Sequence, residues 1–182
     1  KIILSSNSPR RKELLAGLDV DFEVRVLKGI DESYPADLPV EEIPLYISRE
    51  KAAAYTIADN ELVLTADTVV VVDREVLGKP KDADDARRML HLISGRTHQV
   101  ITGVCLTTST DQRVFSVTTD VTFRELKDSE IDYYISHYQP FDKAGAYGIQ
   151  EWIGYVGVIG IRGSYFNVTG LPVQRIYDEL QQ

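Results

Sequence analysis

Three features of the sequence predict an α/β fold. Short apolar strands alternate with helical periodicity along the 182 residues. A largely apolar run at residues 62–72 is typical of a strand buried on both faces. Two β-rich runs, at 97–107 and 113–123, flank a polar turn and predict a long hairpin. The length allows one domain with its own core, or two small lobes.

Composition excludes several classes of protein. With 43% hydrophobic residues spread along the chain, intrinsic disorder is excluded. No apolar run approaches the roughly 20 residues that span a bilayer, and no signal-peptide pattern follows the start. The single cysteine, Cys105, cannot form an internal disulfide and suits a reducing compartment. We therefore expect a cytoplasmic globular protein with no membrane partner.

The charge balance favours a small anionic ligand. Twenty Lys and Arg against 28 Asp and Glu give a formal net charge of −8, which repels polyanions and predicts no nucleic-acid partner. The cations are nevertheless concentrated: Arg10, Arg11 and Lys12 are consecutive, and Lys51 and Lys79 lie in distinctive local patterns. If such cations converge in one pocket, a small phosphorylated substrate fits better than DNA or a membrane.

The first strand and helix carry the basic cluster. A strand is predicted at residues 2–4, followed by a helix with Ser8 as N-cap and Pro9 as first residue. Arg10 and Arg11 then lie in the first turn, where cations oppose the helix dipole. A bound anion would remove this conflict. Solvated basic residues on a surface helix are an equally compatible interpretation.

A second strand is predicted at 22–27 and a second helix at 44–58. The predicted apolar stripe of that helix consists of Ile43, Ile47, Ala54 and Ala58. Lys51 falls on the stripe, so it either extends to the surface along its aliphatic stem or binds phosphate. In the loop before the helix, Asp31 and Glu32 alone are typical of solvated turn residues.

Asp67 interrupts the apolar run at 62–72. A carboxylate in a buried strand must be protonated, hydrogen-bonded or bound to a cation. The alternative is a capped acid between two short strands. A reversal at Asp73 and Arg74 would return the chain as a strand at 75–77. The following Gly78-Lys79-Pro80 is no Walker A loop, because the earlier glycine and the Ser or Thr after the lysine are missing.

The second half of the chain supplies further elements. Asp82 is predicted to cap a helix that ends at Gly95, and helices are also predicted at 129–138 and 173–180. Predicted strand residues between the late glycines are Val156, Val158, Ile159 and Ile161. Inward positions predicted for the two middle helices are Ala86, Met89, Leu90, Ile93, Ile131, Tyr134 and Ile135.

Missing motifs narrow the chemistry. The lone cysteine excludes cysteine-rich zinc sites, and the three histidines, His91, His98 and His137, lack metal-ligand spacing. No G-x-S-x-G motif supports serine hydrolysis. Carboxylates, Lys and Arg, and a hard divalent cation on oxygen ligands remain as candidate chemistry. This set suits the hydrolysis of a phosphoanhydride.

Eight stretches in chain order cover essentially the whole chain. They are Ser5-Ser6-Asn7-Ser8-Pro9-Arg10-Arg11, Asp31-Glu32, Ser48-Arg49-Glu50-Lys51-Ala52, Thr65-Ala66-Asp67-Thr68-Val69, Gly78-Lys79-Pro80, Ser94-Gly95-Arg96-Thr97-His98, Asp142-Lys143-Ala144-Gly145-Ala146-Tyr147-Gly148-Ile149-Gln150 and Gly163-Ser164-Tyr165-Phe166-Asn167-Val168-Thr169-Gly170-Leu171-Pro172. Together these stretches resemble the Maf family of nucleoside triphosphate pyrophosphatases. No single stretch would suffice, but eight in the order of the family are specific.

The resemblance implies a reaction and a set of roles. Such proteins cleave a nucleoside triphosphate between the α and β phosphates, with a divalent metal cation (Mg, Mn or Co). Asp67 is then the proton acceptor, and Glu32 and Asp67 hold the metal. The residues implied to bind the phosphates are Ser6, Arg10, Arg11, Lys51 and Lys79.

The resemblance also implies a substrate branch and an architecture. Arg10, Thr68 and Gln150 are similar to the branch that acts on dTTP and UTP, including modified uridine nucleotides, and the Gln150 amide can both donate to and accept from a pyrimidine edge. The implied fold is an elongated, bent mixed β-sheet with flanking helices and two lobes around a central cleft. We expect residues 1–182 to form one such domain, for which the resemblance also allows a homodimer.

Two other classes of function remain open from the sequence. One is a pyrophosphatase for purine triphosphates such as ITP or XTP, or for 7-methyl-GTP. The other is a nucleotide-binding regulator without enzymatic activity, since the family is linked by resemblance to inhibition of septum formation and to cell-division arrest. The substrate preference and the bond cleaved distinguish these alternatives.

Overall fold

The computed structural model describes residues 1–182. The strands are β1 (Ile2–Leu4), β2 (Phe22–Val24), β3 (Leu62–Val72), β4 (Glu75–Leu77), β5 (Thr97–Thr107), β6 (Gln112–Phe123) and β7 (Val158–Arg162). The helices are α1 (Pro9–Ala16), α2 (Ile43–Ala53), α3 (Ala83–Ile93), α4 (Asp128–Tyr138), α5 (Trp152–Gly157), α6 (Tyr165–Thr169) and α7 (Val173–Leu180). Short 3₁₀ turns cover Val40–Glu42 and Ala144–Ala146.

All seven strands belong to one mixed sheet. Its order is β2-β1-β3-β5-β6-β7, with β4 paired to β3 off this path. The first strand is parallel to both of its neighbours, so that Ile3 lies beside Glu23 and Val63. The β3–β4 and β6–β7 pairs are antiparallel. The predicted α/β class with a mixed sheet and flanking helices is confirmed.

The chain divides into two compact units, each with its own apolar core. Unit 1 comprises Lys1–Thr68, Ile101–Val117 and Gly170–Gln182, and unit 2 comprises Val69–Val100 and Thr118–Thr169. The unit 1 core consists of Leu4, Leu15, Leu64, Ala66, Val104, Leu106, Phe115, Leu171, Val173 and Ile176. The unit 2 core is built mainly from α3, α4 and the inward residues of β3 to β6.

Local signals produce the predicted starts and turns. In α1, the Ser8 side chain accepts from the Arg11 backbone N–H, and Pro9 takes the first position. Asp82 likewise caps α3 through the N–H of Asp85. The buried positions predicted for α3 and α4 are confirmed. These caps fix where each helix begins.

Three predicted boundaries are wrong. The second helix ends at Ala53, and both Ala54 and Ala58 are exposed. The chain leaves the helix there because the Ala54 N–H bonds to the carbonyl three residues back and the Tyr55 hydroxyl donates to the Arg25 carbonyl. Strand β2 ends at Val24, so the predicted extension to residue 27 is not part of the sheet. Val156 lies in α5 rather than in a strand, and β7 begins at Val158.

Gly103 lets β5 approach the start of α2, the helix that carries Lys51. A Cβ placed there would lie 2.5 Å from the Pro44 carbonyl carbon and 2.6 Å from the Leu45 nitrogen. Both are backbone atoms that cannot rotate away. We expect G103A to lower the free energy of unfolding by about 2–3 kcal/mol in urea titrations. The control G160A, which meets nothing within 4 Å, should change it by less than about 0.5 kcal/mol; equal effects would contradict the prediction.

Among the helices, none is both long enough and apolar enough to cross a lipid bilayer.

Candidate active site

The N-terminus of α1 presents hydroxyl and N–H groups beside two arginines. The Ser6 hydroxyl accepts from the Ser8 N–H at 3.0 Å, which leaves the Ser6 O–H proton available to a ligand. Ser8 in turn caps the helix through the Arg11 N–H at 3.2 Å. Arg10 and Arg11 follow in the first turn, as predicted. The region therefore combines free donors with positive charge.

The Arg11 guanidinium is held mainly by backbone oxygens. Its Nε donates to the Gly170 carbonyl at 2.8 Å, and Nη1 donates to the Ala66 carbonyl at 3.3 Å. Its Nη2 donates to Thr68 Oγ1 at 2.8 Å, and that hydroxyl is also 2.8 Å from Thr102 Oγ1. Three of five N–H donors are thus engaged, and two remain for an anion. The contacts fix the plane of the guanidinium.

Lys51 lies between the two predicted acids. Its Nζ is 3.6 Å from Glu32 Oε1 and 3.8 Å from Asp67 Oδ1, and it donates to the Ala66 carbonyl at 2.9 Å. The Lys51 and Asp67 side chains are 16% and 15% exposed, whereas Glu32 is 59% exposed on its loop. Lys51 therefore does not extend to solvent, as one interpretation of the sequence allowed. It faces the carboxylates.

Burial controls the electrostatics of this cluster. Desolvation lowers the pKa of Lys51, an effect that Asp67 opposes and Arg11 reinforces. Desolvation also lowers the pKa of Arg11, again opposed by Asp67. Each cation is therefore costly to bury and is supported by the same carboxylate. A polyphosphate bound beside both cations would add the negative charge that this arrangement favours.

A buried hydrogen-bond network next to this cluster was not identified from the sequence. The Thr65 hydroxyl donates to the Ser48 carbonyl at 2.8 Å, and the Cys105 thiol lies 3.5 Å from Ser48 Oγ. All three side chains are fully buried. Burial raises the pKa of Cys105, so its thiol stays protonated and serves packing. This network ties α2, which carries Lys51, to β3, which carries Asp67, and to β5.

The carboxylates have the chemistry of ligands for a divalent cation. The chain contains no group of three or more His, Cys, Asp or Glu placed to hold a metal ion. Glu32 and Asp67 nevertheless both face the Lys51 ammonium, so their oxygens already gather around one positive charge. Mg²⁺ is commonly held by one or two carboxylates together with substrate phosphates and water. The donor set therefore fits such an ion.

Lys79 and Gln150 belong to unit 2, and both are exposed there. Lys79 follows β4, and Gln150 ends the segment 143–150 ahead of α5. The Gly145 N–H donates to the Gly78 carbonyl at 3.1 Å, which ties the two stretches together. In unit 1, the structure brings together Arg11, Glu32, Lys51, Asp67 and Thr68, with Ser6 and Arg10 at the α1 terminus.

His98 and Tyr147 form a buried pair in unit 2. His98 Nε2 is 2.6 Å from the Tyr147 hydroxyl, and both rings pack against Phe123. Burial lowers the pKa of His98 to about 4 and holds the pKa of Tyr147 well above its ordinary range. The imidazole is therefore neutral in the folded protein at pH 7, and the pair anchors the segment 143–150.

The His98 shift predicts a loss of stability in acid. Between pH 6.5 and about 4 the unfolded chain binds a proton at His98 that the folded chain does not, so stability falls as pH decreases. We expect roughly 2 kcal/mol of the loss between pH 7 and pH 5 to come from this group. In urea titrations at several pH values, the free energy of unfolding of H98Q should depend less steeply on pH than that of the wild type. The control H91Q, at an exposed histidine, should show the wild-type pH dependence. Parallel dependences for wild type and H98Q would contradict the prediction.

Comparison with known proteins assigns the chain to a family. The family model described as Maf-like protein matches residues 1–182. The chain belongs to the Maf-like family. A protein of Phocaeicola vulgatus named dTTP/UTP pyrophosphatase is 66% identical, covering all of this chain and 95% of the relative. Proteins of the same name from Bacteroides fragilis and Porphyromonas gingivalis are 60% and 55% identical over the full chain, covering 95% and 93% of the relatives.

Solved structures of more distant proteins support the fold of this Maf-like chain. The Ham1 protein of Staphylococcus aureus aligns with a TM-score of 0.54 at 14% identity, covering 100% of this chain and 99% of that one. A HAM1 protein from Coxiella burnetii gives a TM-score of 0.53 at 12% identity, covering 99% and 98%. At such low identity the likeness concerns the fold alone.

Proposed function

We propose that this protein hydrolyses dTTP and UTP to the nucleoside monophosphate and pyrophosphate. The observation that carries the proposal is the convergence of Lys51 and Arg11 on the Asp67 region of β3, where one carboxylate lies among cations suited to a polyphosphate. Membership of the Maf-like family and the names of the relatives at 55–66% identity support the reaction and the substrates. We assign the activity to residues 1–182 as one catalytic domain.

Asp67 is the proposed general base. A water molecule attacks the α-phosphorus and its proton passes to an Asp67 oxygen, while the bond from the α-phosphorus to the bridging oxygen breaks. The electron pair of that bond leaves with pyrophosphate. The partial burial of Asp67 in β3 restricts its rotamers, which supports a fixed position for proton transfer.

The cations carry the proposed phosphate binding. Lys51 and the two remaining Arg11 donors stabilise the charge that develops on the phosphate oxygens. Arg10 and the Ser6 hydroxyl add donors at the α1 terminus, and Lys79 is a further proposed phosphate ligand. Because the Arg11 plane is fixed by Gly170, Ala66 and Thr68, it supports binding with little loss of side-chain entropy.

A divalent cation (Mg, Mn or Co) completes the proposed site. Glu32 and Asp67 are the residues that would hold it, each through carboxylate oxygens. When bound, such an ion neutralises phosphate charge and acidifies a coordinated water. Lys51 faces the same two carboxylates and is the proposed phosphate ligand beside them.

Thr68, Gln150 and Arg10 are the proposed determinants of substrate choice. The Gln150 amide offers one donor group and one acceptor, which matches the adjacent N–H and carbonyl of a uracil or thymine edge. Its exposure leaves it accessible to a ligand. The proposed setting is the cytoplasm, where the buried thiol of Cys105 stays reduced.

Product analysis tests the proposal directly. Purified protein with Mg²⁺ or Mn²⁺ would be incubated in parallel with dTTP, UTP, CTP, dATP, GTP, ITP and 7-methyl-GTP. We expect monophosphate and pyrophosphate, with dTTP and UTP cleaved fastest. Diphosphate and inorganic phosphate would refute the mechanism, and a preference for ITP or 7-methyl-GTP would refute the substrate assignment. Binding without turnover would favour a regulatory protein.

A further inference from the structure

A buried tyrosine holds the segment that ends in Gln150. The Tyr134 hydroxyl, on α4, accepts from the Gly148 N–H at 3.0 Å and donates to the Glu151 carboxylate. Tyr134 is completely buried, and its ring stacks on Tyr138 with centroids 5.2 Å apart. One hydroxyl therefore bonds to the chain on both sides of Gln150. The donor, Gly148, lies two residues before Gln150, and the acceptor, Glu151, is the residue after it.

Lys143 closes the other end of the same segment. Its Nζ is 3.8 Å from Glu151 Oε2 and 3.1 Å from Asp142 Oδ1, and its side chain is 13% exposed. The Lys143 stem packs on Gly148, where a Cβ would lie 2.8 Å from Lys143 Cε and 3.1 Å from Glu151 Oε1. The segment 143–151 is therefore a loop whose ends meet through an ion pair and whose Gly148 lies directly against the Lys143 side chain.

This loop also touches the residues that precede Lys79. The Gly145 N–H donates to the Gly78 carbonyl, so a shift of the loop would move the Lys79 backbone as well. The buried Tyr147 hydroxyl adds a further anchor on His98. Within unit 2, both proposed substrate-binding residues thus depend on a single hydrogen-bonded loop.

We propose that Tyr134 and Glu151 are positioning residues that set base selection by fixing the backbone at Gln150. The inference rests on the proposed role of Gln150 in contacting the base. A hydrogen-bonding side chain does not by itself reject a larger base if its backbone can move. The movement makes space for the second ring of a purine. The Tyr134 hydroxyl restricts that freedom, so the Gln150 amide keeps one position, which suits a pyrimidine edge and not a purine.

Removing one oxygen tests this inference. In Y134F the ring stays in the core, while the Gly148 N–H and the Glu151 carboxylate lose their shared partner. We expect the ratio of kcat/KM for UTP to kcat/KM for GTP to fall about tenfold, mainly because the KM for GTP becomes lower. The matched control is Y133F, which removes the hydroxyl of an exposed tyrosine on the same helix and should keep the wild-type ratio.

A second pair of variants separates positioning from general stability. E151Q retains an oxygen that accepts from Tyr134 but loses the ion pair with Lys143, so it should lower the ratio less than E151A, which should lower it as Y134F does. Amide hydrogen exchange should rise at 143–151 in Y134F and E151A, with α7 of unit 1 unchanged. This readout does not require turnover, and a merely structural role would raise exchange throughout unit 2.

The outcomes are distinct. If wild-type protein cleaves none of the nucleotides, the proposed function fails, and the exchange data still decide whether Tyr134 fixes the loop. If wild-type protein prefers UTP and both Y134F and E151A keep that preference, the inference is overturned while the proposed function stands. A lowered ratio together with local exchange at 143–151 supports the inference.

Discussion

Replacing Asp67 with Asn is expected to reduce kcat for UTP hydrolysis by roughly a thousandfold, within the range of general-base contributions. Asparagine has nearly the same shape, so the β3 backbone and the Lys51 contact to the Ala66 carbonyl should persist. The amide cannot accept the proton of the attacking water at neutral pH. Single-turnover measurements with UTP would give the chemical step without interference from product release.

The matched control for this prediction is D59N, which makes the same change at an exposed acid of unit 1. It should retain wild-type turnover. Calorimetric titration of D67N with UTP should still detect binding, because the cations remain in place. Turnover of D67N within tenfold of the wild type would show that another group accepts the proton.

Replacing Lys51 with Met is expected to lower kcat/KM roughly 30- to 1,000-fold, which corresponds to a loss of about 2–4 kcal/mol of transition-state stabilisation. Methionine keeps the apolar stem that packs in α2 but removes the ammonium that faces Glu32 and Asp67. The variant loses charge stabilisation on the phosphates and leaves the two carboxylates without their shared cation. Steady-state kinetics with UTP at several metal concentrations would measure the loss.

K28M is the control, since Lys28 is exposed in the loop after β2. Direct titration of both variants with Mn²⁺ in the absence of nucleotide adds a reading independent of activity. We expect K51M to bind Mn²⁺ more tightly than the wild type, because the lysine no longer competes for the carboxylates. If kcat/KM of K51M matched that of K28M, Lys51 would have no part in the reaction.

Local signals were sufficient to predict most of the fold. Ser8 and Asp82 cap α1 and α3 through short-range hydrogen bonds, so the residues that decide these boundaries lie within a few positions. The turn at Asp73 and Arg74, both with positive φ, likewise follows from the abrupt polar pair after an apolar strand. Such features depend on neighbouring residues alone.

The errors arose where tertiary packing decides. Alanines at 54 and 58 match a helical stripe, yet the helix ends at Ala53, and the Tyr55 hydroxyl bonds to Ser5 Oγ and the Arg25 carbonyl. Val156 favours a strand by its branched side chain, but the Val158 N–H caps α5 by donating to the Gly154 carbonyl. Neither outcome can be derived from residue type and spacing, because each depends on which neighbour is available.

The candidate site shows the same division. Residue chemistry alone singled out Asp67 and Lys51, and the structure places them 3.8 Å apart. The sequence could not reveal that the Ala66 carbonyl accepts from both Lys51 and Arg11, because every residue has a main-chain oxygen and residue type does not show which one is used. Tyr134 was predicted only as a core residue, and its hydroxyl contacts lie 14 and 17 positions away.

Trp152, the first residue of α5, is the only tryptophan in the chain and comes two residues after Gln150. Its indole is partly buried and meets the Tyr133 ring edge at a centroid distance of 4.7 Å. Excitation at long ultraviolet wavelengths therefore yields emission from one known position. If Gln150 contacts the base as proposed, nucleotide binding should change that emission, so the tryptophan fluorescence of the unlabelled wild-type protein tests the proposed contact.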